Sequence, residues 1–188
     1  LSGFDVPRRL VLSANWELPF GRGKHFLAGA RGIVNAFTGG WQLNSITTVQ
    51  SGFPIGVTTA VNQTNSFGGG SRPNNNGKSA KIDGPVRERL NRWFDTSVFS
   101  QPPAFAFGNT ARTLPDVRTP GTVNFDFSVT KVTAITERVS TQLRAEFFNG
   151  FNHANFGAPG NALGNATFGV ISSAADPRIV QFGLKLLF

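Results

Sequence analysis

The side chains best suited to acid–base or metal chemistry are His25 and His153, the only two histidines in the chain. His25 lies in a basic turn and His153 in an Asn-rich loop, and neither has a carboxylate at ligand spacing, so no metal site is expected. Phe20-Gly-Arg-Gly-Lys24 has the glycines and lysine of a phosphate loop. It lacks the Ser/Thr after the lysine and the Gly-x-x-x-x-Gly-Lys spacing, and reads as a turn. No Gly-x-Ser-x-Gly nucleophile elbow occurs. Cysteine is absent, which excludes disulfides and thiolate metal sites. The chain is therefore expected not to be an enzyme, and no cofactor is expected.

The remaining polar clusters suit recognition. Asp126, Arg144 and Glu146 fall on polar positions of two neighbouring strand-like segments. A turn centred near Ile135 would set Asp126 across from Arg144, with Glu146 a diagonal or next neighbour. A long loop carries Arg72, Arg87, Arg89, Arg92 and Arg112 together with Trp93 and Phe94. Arg87, Arg92 and Trp93 are its candidate contacts to an anionic or sugar-like ligand. The alternative is a solvated loop folded over the mouth of a barrel. The net charge of +8 is spread singly, with Arg8-Arg9 the only adjacent pair, so nucleic acid is not an expected partner. A basic rim facing anionic lipid headgroups or an acidic ligand fits better.

Strands must position these groups. Phe occurs 19 times, Gly 22 times and Pro 11 times among 188 residues, and only 15% of the chain is charged. Phe, Val and Thr suit pleated strands, while Gly, Pro and Asn suit turns. Five segments alternate apolar and polar residues with the period of a half-buried strand: 9–18, 41–53, 123–129, 139–147 and 179–188. In the clearest, Val123, Phe125, Phe127 and Val129 alternate with Asn124, Asp126 and Ser128. The best helical candidate, 86–94, amounts to two or three turns at most. No stretch approaches the roughly 20 apolar residues of a transmembrane helix.

The connections are unequal. Residues 131–138 form a short one and 20–40 an intermediate one, whereas 150–178 is long and 54–121 very long. The longest contains Gly68-Gly69-Gly70, Pro73-Asn-Asn-Asn-Gly77 and Pro102-Pro103. Loops of this length are unusual in a compact soluble domain and ordinary on the outer face of a membrane barrel. With Phe188 at the periplasmic side, both long loops fall outside and both shorter turns inside. Alternation alone does not separate a membrane barrel from a soluble β-sandwich, since each hides one face of every strand. Trp16 and Trp41 sit near strand ends, as an interfacial belt requires, but the chain has no Tyr to complete one.

The last eight residues, Gln181-Phe-Gly-Leu-Lys-Leu-Leu-Phe188, read polar–x–Gly–x–x–apolar–x–aromatic. They resemble the β-signal of outer-membrane barrels at Gln181, Gly183, Leu186 and Phe188, which implies the assembly machinery as a partner. Other phrases run in order through almost the whole chain. They are Asp5-Val-Pro-Arg-Arg-Leu10, Glu17-Leu-Pro-Phe-Gly-Arg-Gly-Lys24, Gly40-Trp-Gln-Leu43 with Gln50-Ser-Gly-Phe-Pro54, Trp93-Phe-Asp-Thr-Ser97, Phe107-Gly-Asn109, and Arg144-Ala-Glu-Phe-Phe-Asn149 with Asn152-His153 and Asn155-Phe-Gly157. Together they resemble the C-terminal barrel region of TonB-dependent, Oar-like outer-membrane transporters.

The resemblance implies an all-β fold: five to six antiparallel strands of a larger transmembrane barrel, with long extracellular loops. Such barrels have about 22 strands. The family takes up large or scarce ligands with energy delivered by TonB. Leu1 follows neither an initiator Met nor a signal peptide, and no plug is recognisable, so residues 1–188 are expected to be a partial barrel domain. Its expected partners are outer-membrane lipid, the assembly machinery, TonB through the missing plug, and an unknown ligand. The competing expectation is a secreted β-sandwich serving binding or adhesion.

Overall fold

Alternating sequence produces alternating structure in the computed structural model, which describes residues 1–66 and 70–188. The Gly68-Gly69 part of the triple-glycine run lies outside the described residues. Five strands make one sheet: β1 (Arg9–Glu17), β2 (Trp41–Gln50), β3 (Thr122–Ala134), β4 (Ser140–Phe148) and β5 (Ile179–Leu187). They lie side by side in chain order, so β1 and β5 are its edges and the sheet is open. β3–β4 and β4–β5 are antiparallel. β1 and β2 run opposite ways too, with Leu18 N–H on Trp41 O and Ser51 N–H on Arg8 O, both 2.9 Å.

The five expected strands correspond one to one with these, but β3 continues five residues further, from 129 to Ala134. Ile135 N–H and Thr136 N–H both bond Val139 O, at 2.8 and 3.0 Å, so the turn centres on Glu137 and not on Ile135. The expected pairing of Asp126 with Arg144 is thereby corrected. Arg144 stands opposite Thr130, and Glu146 opposite Ser128. A turn placed too early shifts every cross-strand partner while leaving each residue's face unchanged.

The chain divides into two compact units. One, comprising Leu10–Val49, Val123–Ala154 and Asp176–Phe188, holds most of the sheet. Among the described residues, the apolar side chains of its edge strands are exposed. Leu12 is 56% exposed, Phe182 73% and Leu184 75%. The connection between β1 and β2 contains an unexpected short helix, α1 (Gly32–Thr38).

The other unit comprises Leu1–Arg9, Gln50–Thr122 and Asn155–Ala175, so it gathers most of both long connections. Its buried apolar residues include Ile55, Val57, Trp93, Phe94, Val98, Phe99, Leu114 and Ile171. Phe94 is fully buried and packs edge-on against Phe99 and Phe168, with centroids 6.0 and 5.3 Å away. Small ladders, Thr58–Thr59 with Ala162–Leu163 and Asn74–Asn75 with Phe99–Ser100, join distant parts of the loops. These connections are therefore not mere solvated loops; they fold around an apolar centre. Within 86–94 the helical content is one 3-10 turn, Val86–Arg89.

Two outcomes test this unit. Phe94→Ala is expected to destabilise it by about 3–5 kcal/mol, the usual cost of deleting a buried ring; amide exchange across 54–121 should quicken. Unchanged exchange would mean that this ring does not hold the unit together. Asp95 accepts from Arg92 Nη2 at 2.7 Å and from Ser97 N–H and Oγ, and these hydrogen bonds, the arginine's first, hold its carboxyl below its ordinary value of 3.8. A depressed folded pKa stabilises above the unfolded value and loses that contribution as pH falls through the folded one. The wild type should thus exceed Asp95→Asn in stability at neutral pH, with the gap closing on acidification below about 3.8; a gap that persists at pH 2 sinks the assignment.

Candidate functional site

The residues with recognition chemistry converge on the polar face of the sheet. Directly paired residues share a face, and the register assembles this one row by row. Ser128, Glu146 and Gln181 form one row, Thr130, Arg144 and Gly183 the next, and Val132, Gln142 and Lys185 a third. Side-chain hydrogen bonds extend it to the other strands: Asn44 Nδ2 donates to Ser128 Oγ at 3.2 Å, and Gln42 Nε2 to Asn15 Oδ1 at 2.7 Å. An open groove of about 430 Å³ runs along it, lined among others by Gln42, Asn44, Asp126, Ser128, Gln142, Arg144 and Glu146.

The three expected cluster members all line this groove, with partners that differ from the expectation. Arg144 Nε pairs with Glu146 on its own strand at 3.3 Å. Asp126 accepts from Asn124 Nδ2 at 2.8 Å and from Asn149 N–H at 2.9 Å. The second contact fastens the chain as it leaves β4. Asn149, in a left-handed conformation (φ 48°), donates through Nδ2 to His153 O at 3.0 Å and Asp176 O at 3.2 Å, and accepts from His153 N–H at 2.9 Å. His153 thus contributes main-chain atoms to a clamp. Among the described residues no cluster of His, Cys, Asp or Glu is suited to a metal ion.

The opposite face carries Leu10, Leu12, Ala14 and Trp16 of β1 and Phe125, Phe127 and Val129 of β3, with Leu143, Phe147, Phe182, Leu184 and Leu186 from β4 and β5. Phe127 and Phe147 are directly paired and stack at 4.7 Å. A charged residue joins this face, Lys131, only 9% exposed. Its ammonium donates to Gly39 O and lies 5.6 Å from the Trp41 ring centre. Sequence reasoning assigned Lys131 to a turn. The signal that would have found it is parity, since 131 continues the series 123, 125, 127, 129.

In the loop unit the expected ligand contacts separate. Arg87 is exposed on its 3-10 turn, and Arg92 is exposed and paired with Asp95 at 2.7 Å. Trp93 is a correction. It is 4% exposed, its indole N–H donates to Arg118 O at 2.7 Å, and the Arg89 guanidinium covers its ring at 4.2 Å. A ring this enclosed serves the core and has no surface to offer a ligand, and Phe94 beside it is fully buried. A role missed in the sequence belongs to Arg118, which donates to Asp5 O at 2.9 Å, to the Asp5 carboxylate, and to Gly52 O at 3.2 Å.

At the C-terminus, Gln181 and Gly183 lie on the polar face of edge strand β5, opposite Glu146 and Arg144, while Leu186 lies on the apolar face opposite Thr141. Phe188 follows the strand and is 98% exposed. A side chain built at Gly183 would meet nothing within 4 Å, so packing within this sheet does not demand a glycine there.

No helix among the described residues is long and apolar enough to cross a membrane, which says nothing of crossing by strands. No curated protein and no solved structure gives a match. Residues 1–181 match the outer membrane beta barrel domain family. The match covers nearly all of the strands, the loops and the polar groove, and it places the protein in the outer membrane; the chain belongs to the outer membrane beta barrel domain family.

Proposed function

We propose that this chain forms part of a TonB-dependent, Oar-like transporter that takes up a large or scarce ligand, and that it acts without enzymatic chemistry. Its own part is to supply closing barrel strands and the assembly signal. One observation supports this reading above others: the sheet is amphipathic with its apolar side uncovered, Leu12, Phe182 and Leu184 being 56–75% exposed while the other side is bonded polar group to polar group. Lipid outside and a hydrated lumen inside account for both faces. A β-sandwich would bury the apolar face against a second sheet, and such large exposed patches are rare on soluble monomers.

In this reading the edges β1 and β5 join further strands of the parent barrel, because unpaired main-chain groups in lipid cost several kcal/mol each. The groove residues Asp126, Arg144 and Glu146 face the lumen, exposed Arg87 is available to an anionic ligand with Arg92 joining it on release from Asp95, and TonB acts through a plug elsewhere in the parent. The long connections follow β2 and β4 and the short ones follow β1 and β3, as expected if long loops are extracellular and short turns periplasmic.

Gly183 provides a test that separates assembly from stability. Gly183→Ala is expected to leave the unfolding midpoint of the folded protein unchanged or slightly raised, since a strand-interior glycine is weakening. Insertion by purified assembly machinery should slow several-fold, and Phe188→Ser should slow it further. Normal insertion of both variants would refute the signal. In-cell crosslinking of the parent protein should capture TonB; a failure to do so with a functioning assembly signal would leave a barrel that is not a TonB-dependent transporter. Arg144→Ala should cost at most about 1 kcal/mol of stability, the range for exposed ion pairs, and a larger loss in the unfolding midpoint would make the pair structural.

A further inference from the structure

The connection between β1 and β2 is not a plain turn. Its helix α1 is anchored at its C-terminal end by two side chains of the sheet's apolar face. Trp41 Nε1 donates to Phe37 O at 2.8 Å, and Lys131 donates to Gly39 O. A lysine at the carbonyl-rich end of a helix also complements its dipole. The junction is tight: Gly40 has φ 72°, its carbonyl receives Val132 N–H at 2.9 Å, and a Cβ there would lie 2.1 Å from Val132 O.

The side chains of α1 are arranged opposite to those of a helix on a soluble protein. Its polar side chains bond within the chain, Asn35 Oδ1 accepting from Arg22 N–H at 2.7 Å and Thr38 Oγ1 donating to Val34 O at 2.8 Å. Ile33, Val34 and Phe37 point away, 76%, 55% and 75% exposed. Phe26 and Leu27 just upstream are half-exposed as well, and Trp16 is exposed near this end of β1. Exposed Arg22 and Arg31 flank the apolar side chains, whereas nearby Lys24 is occupied by Glu17 at 2.7 Å.

We infer that residues 20–40 form an in-plane membrane anchor, with Ile33, Val34 and Phe37 seated at the headgroup–acyl boundary of the periplasmic phospholipid leaflet and Arg22 and Arg31 on its phosphates. This rests on the proposed lipid-facing reading of the sheet, whose apolar surface the helix continues through Trp41. Apolar side chains set beside basic ones are what a helix lying at this boundary presents to lipid. The aromatic belt that lacks tyrosine is thereby completed at this end by Trp16, Trp41 and Phe37.

Residues 1–188 contain no cysteine, so single-cysteine probes placed among them are unique once any cysteine elsewhere in the parent is replaced by serine. Phe37→Cys, Leu184→Cys and Glu137→Cys would each be labelled with an environment-sensitive fluorophore. The full-length protein would be reconstituted in vesicles of phosphatidylethanolamine and phosphatidylglycerol carrying quenchers at defined depths. The label at 37 should shift to the blue and be quenched most at headgroup depth, that at 184 at mid-chain depth, and that at 137 hardly at all. A water-like signal at 37 with a lipid-like one at 184 overturns the anchor and leaves the transporter reading standing. A water-like signal at 184 overturns the lipid-facing sheet and the anchor with it. All three substitutions lie at exposed positions, so folding is not at stake.

Discussion

Inter-strand hydrogen bonding in a sheet whose apolar side is left open is the constraint from which the rest of this protein follows. A bilayer core offers no water, so each main-chain N–H and C=O must be satisfied within protein. The unbroken ladders of β3–β4 and β4–β5 meet that demand along nine or fewer pairs each. Once the ladder is laid, the two-residue period sends Val, Phe and Leu to one side and Asn, Ser, Gln, Arg and Glu to the other. The polar groove and the exposed apolar surface are then two consequences of one pleat.

The loop unit obeys the opposite rule. Its apolar residues turn inward, and Phe94, Trp93 and Val57 are almost wholly enclosed. Two kinds of amphipathy thus coexist in one chain: strands that place apolar groups outside and connections that place them inside. Long connections would otherwise cost ordering entropy with little return; a core of Phe94, Phe99 and Phe168 offsets that cost. Exposed arginines then stand on a folded support and not on a floppy one.

Several residues that give the sequence its family likeness turn out to be fasteners. Asp5 receives Arg118 across 113 positions of the chain. Asn149 closes the exit from β4 with three hydrogen bonds through its side chain, and Asn152 Oδ1 receives Arg178 N–H at 3.0 Å. Their left-handed backbones, φ 48° and 54°, are tolerated best by Asn among non-glycine residues. Trp93 belongs to the same class: what reads in the chain as an aromatic available for stacking is a buried post.

The number of strands, the face of each residue and the contrast between long and short connections were legible in the chain by itself, because a period of two is a local property that needs no partner to express it. Register was not. It depends on where the hairpin closes, and two residues of error in the turn centre gave Arg144 the wrong neighbour. The loop core was hidden for a different reason: Ile55, Phe94, Leu114 and Ile171 are scattered among Gly, Pro and Asn with no period, and only the long-range fold collects them. Lys131 shows the limit most sharply. Its place in the chain reads as the start of a turn; the longer β3 sets it on the apolar face, and only the return of α1 to that face supplies the carbonyl that lets a charged group remain there.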